Sequence, residues 1–218
     1  MPRYRHILFD LDGTLIDSAP AILASFRDSF ARNGLQAVRS IDESVIGPPL
    51  IETLQLLAGS TDKALIDRLA DGFKASYDTE GYKATAASAG VGDMLARLAG
   101  AGLSLSIATN KRLHPTRLIL EHLGWSRHFD HVYALDLFEP RLPHKAAMIQ
   151  RLLADQEIPG DGAIYIGDRS EDGESADANG LPFIAATWGY GSITAAEMPA
   201  HWRQAASPSA LADLLLAV

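Results

Sequence analysis

The stretch ILFDLDGTLID, residues 7–17, decides the fold and carries the most informative acidic residues of the chain. It opens with an apolar run typical of a buried strand, and Asp10 and Asp12 follow directly. In an extended segment, side chains two residues apart point the same way, so both carboxylates face one small volume. Two carboxylates that close repel each other, and a hard divalent cation with oxygen ligands relieves the repulsion. One carboxylate is then free to act as a nucleophile and the other to carry a proton.

A purely structural explanation of the same stretch is also open. A buried strand that ends in an Asp-Gly turn, with Asp17 as an acid at a helix N-terminus, uses the same residue types. The rest of the chain discriminates between the two, because only a catalytic strand end needs partner residues elsewhere.

The composition is that of an ordinary globular protein, with 47% apolar and 21% charged residues among 218. This length accommodates one sizeable core and a small accessory domain. The net charge of −8 argues against nucleic acid polymers and anionic membranes as partners, because both need a basic surface. Since the chain has no cysteine, disulfides, thiolate metal sites and cysteine nucleophiles are excluded.

Targeting signals are absent from the sequence pattern. No apolar run approaches the roughly 20 residues that span a bilayer. The apolar run after the basic residues 3–6 is too short for the core of a signal peptide. We therefore expect a cytoplasmic protein without a membrane partner, either a monomer or a homodimer.

The order of predicted elements indicates an α/β fold, a doubly wound parallel sheet with an inserted α-helical cap. Between residues 17 and 80 the apolar spacing is helical, whereas the rest of the chain alternates strands with helices. Further strands are predicted over residues 103–108, 131–135, 163–166 and 182–186. Helices are predicted over residues 19–33, 41–46, 50–57, 61–77, 113–123, 145–153 and 209–217, with two more that end at residues 100 and 179. We expect a Rossmann-like core of residues 1–15 and 86–218 and a cap of residues 16–85.

Polar residues follow several of these strands, at the edge where ligands of parallel sheets lie. Thr109 and Asn110 come after one strand, Asp168 after another, and Asp172 four residues later, while Lys145 opens a helix. Taken singly, these are ordinary capping, turn and surface residues. Together they suit phosphoryl transfer, where positioning and charge neutralisation carry most of the catalysis.

The chain resembles the haloacid dehalogenase superfamily in four short motifs that occur in the family's order. They are DLDGTL at 10–15, TN at 109–110, Lys145, and GDRSED at 167–172. Three further stretches are similar to the phosphoglycolate-phosphatase-like branch: GPPL at 47–50, YDTEG at 77–81 and TWGYG at 187–191. The resemblance implies Mg²⁺-dependent hydrolysis of a small phosphorylated metabolite, such as a phosphoglycolate-like compound, a sugar phosphate or a nucleotide.

The resemblance also implies catalytic roles for individual residues. Asp10 is the nucleophile that becomes phosphorylated. Asp12 gives a proton to the leaving oxygen and then takes one from the attacking water, general acid–base help that contributes roughly 100- to 10,000-fold. Thr109 and Lys145 bind the phosphoryl group, assisted by main-chain amides near Asn110.

The metal site implied by the resemblance draws on both ends of the chain. Asp10 ligates Mg²⁺ with its carboxylate and Asp12 with its main-chain carbonyl. Asp168 binds Mg²⁺ directly, and Asp172 binds it directly or through water.

Two other functions stay open at this stage. A phosphomutase of the beta-phosphoglucomutase type has to hold a second phosphate with basic residues of the cap. The basic residues available for that purpose are Arg27, Arg32, Lys63 and Lys74, and no cluster stands out. A catalytically silent binding protein should have lost a reacting group, and none is missing. A haloacid dehalogenase is disfavoured because it needs no acid at Asp12.

Overall fold

The computed structural model describes residues 3–190, 193 and 198–217. Its strands are β1 (His6–Phe9), β2 (Ile16–Asp17), β3 (Ala86–Ala87), β4 (Ser104–Thr109), β5 (His131–Ala134), β6 (Ala163–Gly167), β7 (Phe183–Ala186) and β8 (Arg203–Ala205). Its α-helices are α1 (Ala19–Arg32), α2 (Leu50–Ala58), α3 (Lys63–Tyr77), α4 (Val91–Gly100), α5 (Leu113–His122), α6 (Lys145–Asp155), α7 (Ser170–Asp177) and α8 (Pro208–Leu216).

Six of the strands form one parallel sheet in the order β5-β4-β1-β6-β7-β8. The first strand lies near the middle, and Phe9 is in register with Ile107 of β4 and Ile166 of β6. Because all strands run the same way, the residues that follow these three strands meet at one edge of the sheet. The predicted α/β fold with a parallel sheet is confirmed.

Helices cover both faces of this sheet because the strands are apolar on both sides. In β1, Ile7 and Phe9 belong to one core, which also receives side chains of α4, α5 and α8. Leu8, between them, points to a second core that α6 and α7 close. All three β1 side chains are fully buried, as expected for the central strand of a doubly wound sheet.

The chain between β2 and β3, residues 18–85, is called the helical segment below. It contains α1, α2 and α3, and Phe26 of α1 packs against Phe73 of α3 with ring centroids 4.6 Å apart. Its two connections to the core lie side by side, because β2 pairs antiparallel with β3. The division into a core of residues 1–15 and 86–218 and a cap of residues 16–85 stays a prediction.

The structure differs from the sequence-based elements mainly at their ends. The predicted helix over 41–46 is a 3₁₀ turn at Glu43–Val45. The helix predicted from residue 61 begins at Lys63, because the Asp62 carboxylate accepts a hydrogen bond from the Leu65 amide at 2.8 Å and caps it. Gly191, in the TWGYG motif, lies outside the described residues. Within the described part of the chain, no helix is both long and apolar enough to cross a bilayer.

Candidate active site

Three buried carboxylates meet where β1 and β6 end. Asp10 follows β1, Asp168 follows β6 and Asp172 lies in the first turn of α7, and each offers an oxygen within 4.8 Å of the others. The turn into α7 fixes this arrangement locally. The Asp172 Oδ2 atom accepts hydrogen bonds from the amides of Asp168 at 3.1 Å and Arg169 at 3.0 Å. We call Asp10, Asp168 and Asp172 the carboxylate cluster.

Lys145 supplies the positive charge at this cluster. Its Nζ atom donates to Asp10 Oδ1 at 3.0 Å and also to the Asp172 carboxylate. The side chain is only 4% exposed. It reaches the cluster from the first residue of α6, whose N-terminus is capped by His144. The chain therefore brings one ammonium group to three carboxylates.

Burial and mutual repulsion shift the proton affinities of the cluster. Burial, with a contribution from the neighbouring Asp172, raises the pKa of Asp10 to about 7, although Lys145 opposes the shift. Burial and Asp172 likewise raise the pKa of Asp168 to about 8. Burial on its own lowers the pKa of Lys145, but the two carboxylates it contacts outweigh burial and hold that pKa well above its usual range.

The cluster has the donor set and the charge of a divalent cation site. Asp168 Oδ1 accepts a hydrogen bond from Thr14 Oγ1 at 3.2 Å, whereas Asp168 Oδ2 is buried and has no hydrogen-bond partner among the residues that the structure describes. An unpartnered buried carboxylate oxygen is costly unless a cation or another donor satisfies it. With three carboxylates and one ammonium, the ionised cluster carries two excess negative charges. Oxygen ligands and this charge fit a hard cation such as Mg²⁺.

The backbone at the end of β1 has to come very close to this cluster. Gly13 has φ +84°, in the left-handed region that favours glycine. A Cβ atom at Gly13 would overlap the Asp168 carboxylate, and one at Gly189 would overlap the Gly13 carbonyl oxygen. The loop after β7 is fixed there by Trp188, whose Nε1 donates to the Thr14 carbonyl at 2.9 Å.

The Asp12 side chain lies apart from the carboxylate cluster. Lys111 Nζ donates to its two oxygens at 3.0 and 3.3 Å, and the Ser18 hydroxyl donates to Oδ1. Ser18 in turn is 3.1 Å from the Tyr190 hydroxyl. Asp12 thus lies beside the first residue of the helical segment, where it carries separate hydrogen-bond partners from those of Asp10.

Lys111 is the residue that sequence reasoning missed. Its side chain is 6% exposed, and its Nζ lies 4.7 Å from the centre of the Tyr77 ring in α3. Burial alone lowers the pKa of Lys111, but the Asp12 carboxylate and Tyr77 outweigh it, so the pKa is raised. The one signal in the sequence is that Lys111 directly follows Thr109 and Asn110.

Thr109 is the last residue of β4, which ends one residue later than the predicted strand, and Asn110 follows it at the same sheet edge. Thr109 is 1% exposed, and its Oγ1 accepts a hydrogen bond from the Lys111 amide at 3.2 Å. Asn110 Nδ2 donates to the Gly47 carbonyl at 3.2 Å and to Glu171 at 3.1 Å. Asp10, Asp168, Asp172 and Lys145 thus lie together, Thr109 and Asn110 lie at the end of β4, and the side chain of Asp12 faces the helical segment rather than the cluster.

A cavity of about 60 Å³ lies between the helical segment and the core, next to Asp12. Its core side is formed by Asp12, Lys111 and Arg112. Apolar side chains of the helical segment, including Phe26 and Phe73, line the opposite side. A small molecule bound in this cavity would therefore contact both parts of the chain.

A parallel α/β core with acidic strand ends and a helical insertion after the first strand defines one class of hydrolase. The family model described as haloacid dehalogenase-like hydrolase matches residues 7–186. The chain belongs to this family.

Relatives with known names agree with the predicted branch. The chain is 32% identical to the Xanthomonas campestris phosphoglycolate phosphatase, over 85% of this chain and 84% of that protein. It is also 32% identical to a Pseudomonas aeruginosa 5′-nucleotidase, over 92% and 91%. The tyrosine-protein kinase PtkA of Mycobacterium tuberculosis matches at 32% identity over 85% of this chain, which spans only 62% of the length of PtkA. The resemblance to the phosphoglycolate-phosphatase-like branch is confirmed.

Solved structures of similar proteins have the same fold. A crystal structure of a predicted phosphatase from Clostridium acetobutylicum superposes with a TM-score of 0.86 at 29% identity, covering 99% of each chain. The helical insertion is included in that agreement, because nearly the whole of both chains is matched.

Proposed function

We propose that this protein is a Mg²⁺-dependent phosphatase that hydrolyses a small phosphomonoester through an aspartyl-phosphate on Asp10. The observation that carries the proposal is the carboxylate cluster, with the Lys145 ammonium group in contact with it and an Asp168 oxygen that has no hydrogen-bond partner among the described residues. The family membership and the names of two relatives, a phosphoglycolate phosphatase and a 5′-nucleotidase, support the same reaction.

The first half of the reaction transfers the phosphoryl group to the enzyme. A carboxylate oxygen of Asp10 attacks phosphorus, and the bond from phosphorus to the ester oxygen breaks. Asp12 gives its proton to that leaving oxygen. Thr109, Lys145 and the amides near Asn110 bind the non-bridging oxygens, so that their charge is neutralised while the bond breaks.

The second half regenerates the carboxylate. Asp12, now ionised, takes a proton from a water molecule, and the water oxygen attacks phosphorus. The bond from phosphorus to the Asp10 oxygen breaks and inorganic phosphate is released. The same group thus acts first as an acid and then as a base.

The proposed Mg²⁺ would be held by Asp10, Asp168 and Asp172 together with the main-chain carbonyl of Asp12. When bound, Mg²⁺ supplies positive charge against which an anionic phosphoryl group and an anionic carboxylate can approach each other. The two excess negative charges of the cluster support this assignment.

The contacts of the helical segment favour a phosphatase over a phosphomutase. A mutase needs basic side chains that are available for a second phosphate. The four candidates already have partners in their own segment: Arg32 with Asp28, Lys63 with Asp67, Lys74 with Asp71, and Arg27 with the Ile41 carbonyl. We therefore propose simple hydrolysis of a small phosphorylated metabolite by a cytoplasmic monomer or homodimer, with no nucleic acid polymer or membrane as partner.

Release of phosphate from p-nitrophenyl phosphate and from a panel of phosphorylated metabolites tests the proposal. The wild type should turn over with Mg²⁺ and stop with a chelator. Asp10→Asn should lower turnover by more than about 1000-fold, because it removes the nucleophile. The matched control is Asp161→Asn, an exposed aspartate in a turn away from the site. A wild type inactive on the whole panel, or an Asp10→Asn variant as active as the control, would contradict the proposal.

A further inference from the structure

We propose that Lys111 is a positioning residue, which holds the Asp12 carboxylate ready for proton transfer while Tyr77 of the helical segment packs on its ammonium group. The inference rests on the proposed function, because it concerns the residue that moves the proton in that reaction. It makes the docking of the helical segment a condition for acid–base catalysis, though not for nucleophilic attack.

The first step of the argument is the geometry at Asp12. Lys111 is the cation that touches this carboxylate in the described part of the chain, with contacts of 3.0 and 3.3 Å to its two oxygens. Ser18 holds Oδ1 from the side of α1. A carboxylate held at both oxygens is restricted in rotation, so its orientation toward a leaving group depends on where the ammonium lies.

The second step is what holds Lys111. A lysine side chain has four rotatable carbon–carbon bonds, and an exposed one samples many positions. Here the ammonium lies over the Tyr77 ring at 4.7 Å, a cation–π contact in a place shielded from water. Tyr77 is itself 1% exposed and stacks on Phe73 at 5.3 Å. The aromatic side chains of α3 thus fix the cation that fixes Asp12.

The third step is that this contact belongs to a larger attachment between the two parts of the chain. Asn110, on one side of Lys111, donates to the Gly47 carbonyl at 3.2 Å. Arg112, on the other side, makes two hydrogen bonds to the Asp78 carboxylate at 2.6 and 2.5 Å. Three consecutive residues after β4 therefore each contact the helical segment. If the segment moved away, Lys111 would lose its ring and its position together.

The chemical consequence is that two types of substrate should respond differently when Asp12 is misplaced. An alkyl phosphate has a poor leaving group, so phosphoryl transfer to Asp10 needs the proton of Asp12. p-Nitrophenolate leaves without protonation, so that transfer from p-nitrophenyl phosphate does not need it. Hydrolysis of the aspartyl-phosphate needs Asp12 as a base for either substrate. Misplacing Asp12 should therefore slow the first half only for alkyl phosphates and the second half for both.

The experiment compares Lys111→Met with Lys111→Arg, using rapid mixing to separate the two halves of the reaction. In Lys111→Met, the initial release of p-nitrophenol should stay within about threefold of the wild type, followed by a steady state about 100-fold slower. A burst of one p-nitrophenol per active site should therefore appear. Turnover of an alkyl phosphate should fall by a similar factor without a burst. Lys111→Arg keeps the cation and should restore most of both rates.

A second pair of variants tests the role of the helical segment independently of the lysine. Tyr77→Leu removes the ring and should also give a burst followed by a slower steady state. The slowing should be about one tenth of that in Lys111→Met, that is about 10-fold. Tyr77→Phe keeps the ring and should retain the leaving-group dependence of the wild type. The matched control is Lys63→Met, which changes a lysine of the same helix with an 88% exposed side chain. The two Tyr77 variants test whether the helical segment positions Lys111 and Asp12 even if Lys111→Met does not fold.

The outcomes separate the inference from the proposed function. A wild type that shows neither a burst nor turnover overturns the proposed function itself. An active wild type, with Lys111→Met slowed equally for both substrates in the first half, overturns the inference alone, because Lys111 then acts in binding or folding. If both Lys111→Met and Tyr77→Leu show the burst and steady-state rates of the wild type, the inference about Lys111 is overturned as well.

Discussion

Two lysine–aspartate pairs at the end of the same strand show how differently one contact can be used. Lys145 and Lys111 each place an ammonium nitrogen 3.0 Å from an aspartate oxygen, Lys145 at Asp10 and Lys111 at Asp12. Lys145 is buried and is shared with one further carboxylate, that of Asp172. Lys111 faces a single carboxylate and lies against an aromatic ring of the helical segment.

The two pairs differ in their local charge balance and in the part of the chain that surrounds the lysine. Around Lys145 the negative charges are in excess, which favours binding of a further cation. That cation and Lys145 would together attract an anionic substrate. Around Lys111 there is one ammonium group for one carboxylate, and the contacts of Lys111 and Ser18 give that carboxylate a defined orientation. We infer that the first pair serves bond making at phosphorus and the second the movement of a proton.

Among the variants that test this comparison of the two pairs, the largest effect should follow from removing the shared cation with Lys145→Met. Turnover should fall by about 100- to 1000-fold, because one ligand of the phosphoryl oxygens is lost. The free energy of unfolding of the metal-free protein should fall by about 3–5 kcal/mol, because buried carboxylates lose their partner. Urea unfolding and phosphate release measure the two effects, with Lys63→Met as the control. Unchanged stability would show that the carboxylates do not depend on Lys145.

The next largest effect concerns the excess negative charge of the carboxylate cluster and the stabilisation by Mg²⁺ that depends on it. Asp168→Asn keeps the shape of the side chain but removes the charge of the unpartnered oxygen. In the wild type, Mg²⁺ at 100 times its dissociation constant should add about 2.7 kcal/mol to the free energy of unfolding. In Asp168→Asn this gain should largely disappear, whereas Asp12→Asn should retain most of it because its carbonyl is unchanged. Thermal melting with and without Mg²⁺ measures this. Equal gains in both variants would contradict the assigned cation site.

A smaller effect is expected in the pH dependence of the metal-free protein. The pKa values of about 7 for Asp10 and about 8 for Asp168 lie above the usual aspartate value of 3.8 that applies when the chain is unfolded. Between these limits the folded state binds more protons than the unfolded state, so the free energy of unfolding falls as pH rises.

The measurement is urea unfolding in a chelating buffer at about pH 5.5 and about pH 8.5. Stability should be lower at the higher pH, and the difference should shrink in Asp168→Asn or when saturating Mg²⁺ takes the place of the protons. A metal-free protein whose stability did not fall over this range would show that the cluster is already ionised at the lower pH.

The smallest effect should come from Ser18, the other residue that contacts Asp12 of the Lys111–Asp12 pair. Ser18→Ala removes the hydroxyl that donates to Asp12 but leaves Lys111 in place. We expect a loss of about 0.5–1.5 kcal/mol in the free energy of unfolding and a modest drop in turnover of alkyl phosphates. Comparison with Lys111→Met under the same conditions ranks the two supports of Asp12. A larger loss from Ser18→Ala would reverse that ranking.

Much of the fold was predictable because the strands that build the site are short apolar runs followed by polar residues. The strand Arg203–Ala205 was not predicted, because it has only three residues at the sheet edge and two of them are exposed. The pairing of Ile16–Asp17 with Ala86–Ala87 was equally invisible, since two residues carry no periodicity.

The site itself was predictable where its chemistry is local in the sequence. Asp10 and Asp12 share one strand end, and Asp168 and Asp172 share one turn, so spacing alone groups them. Lys111 escaped because a single lysine after a strand is usually solvated. Its burial depends on Tyr77 and Asp12, which come from two other parts of the chain, and a pattern in one stretch cannot report contacts made by folding.

The pairing of β2 with β3 gives the protein a modular construction. Ile16 lies opposite Ala87, so the helical segment leaves the sheet and returns to it at the same point. An insertion whose ends are neighbours can be exchanged for one of another length without stretching any strand. Chimeras that graft a relative's insertion between these two positions should therefore keep the carboxylate cluster of the core intact while taking on the donor's choice of substrate.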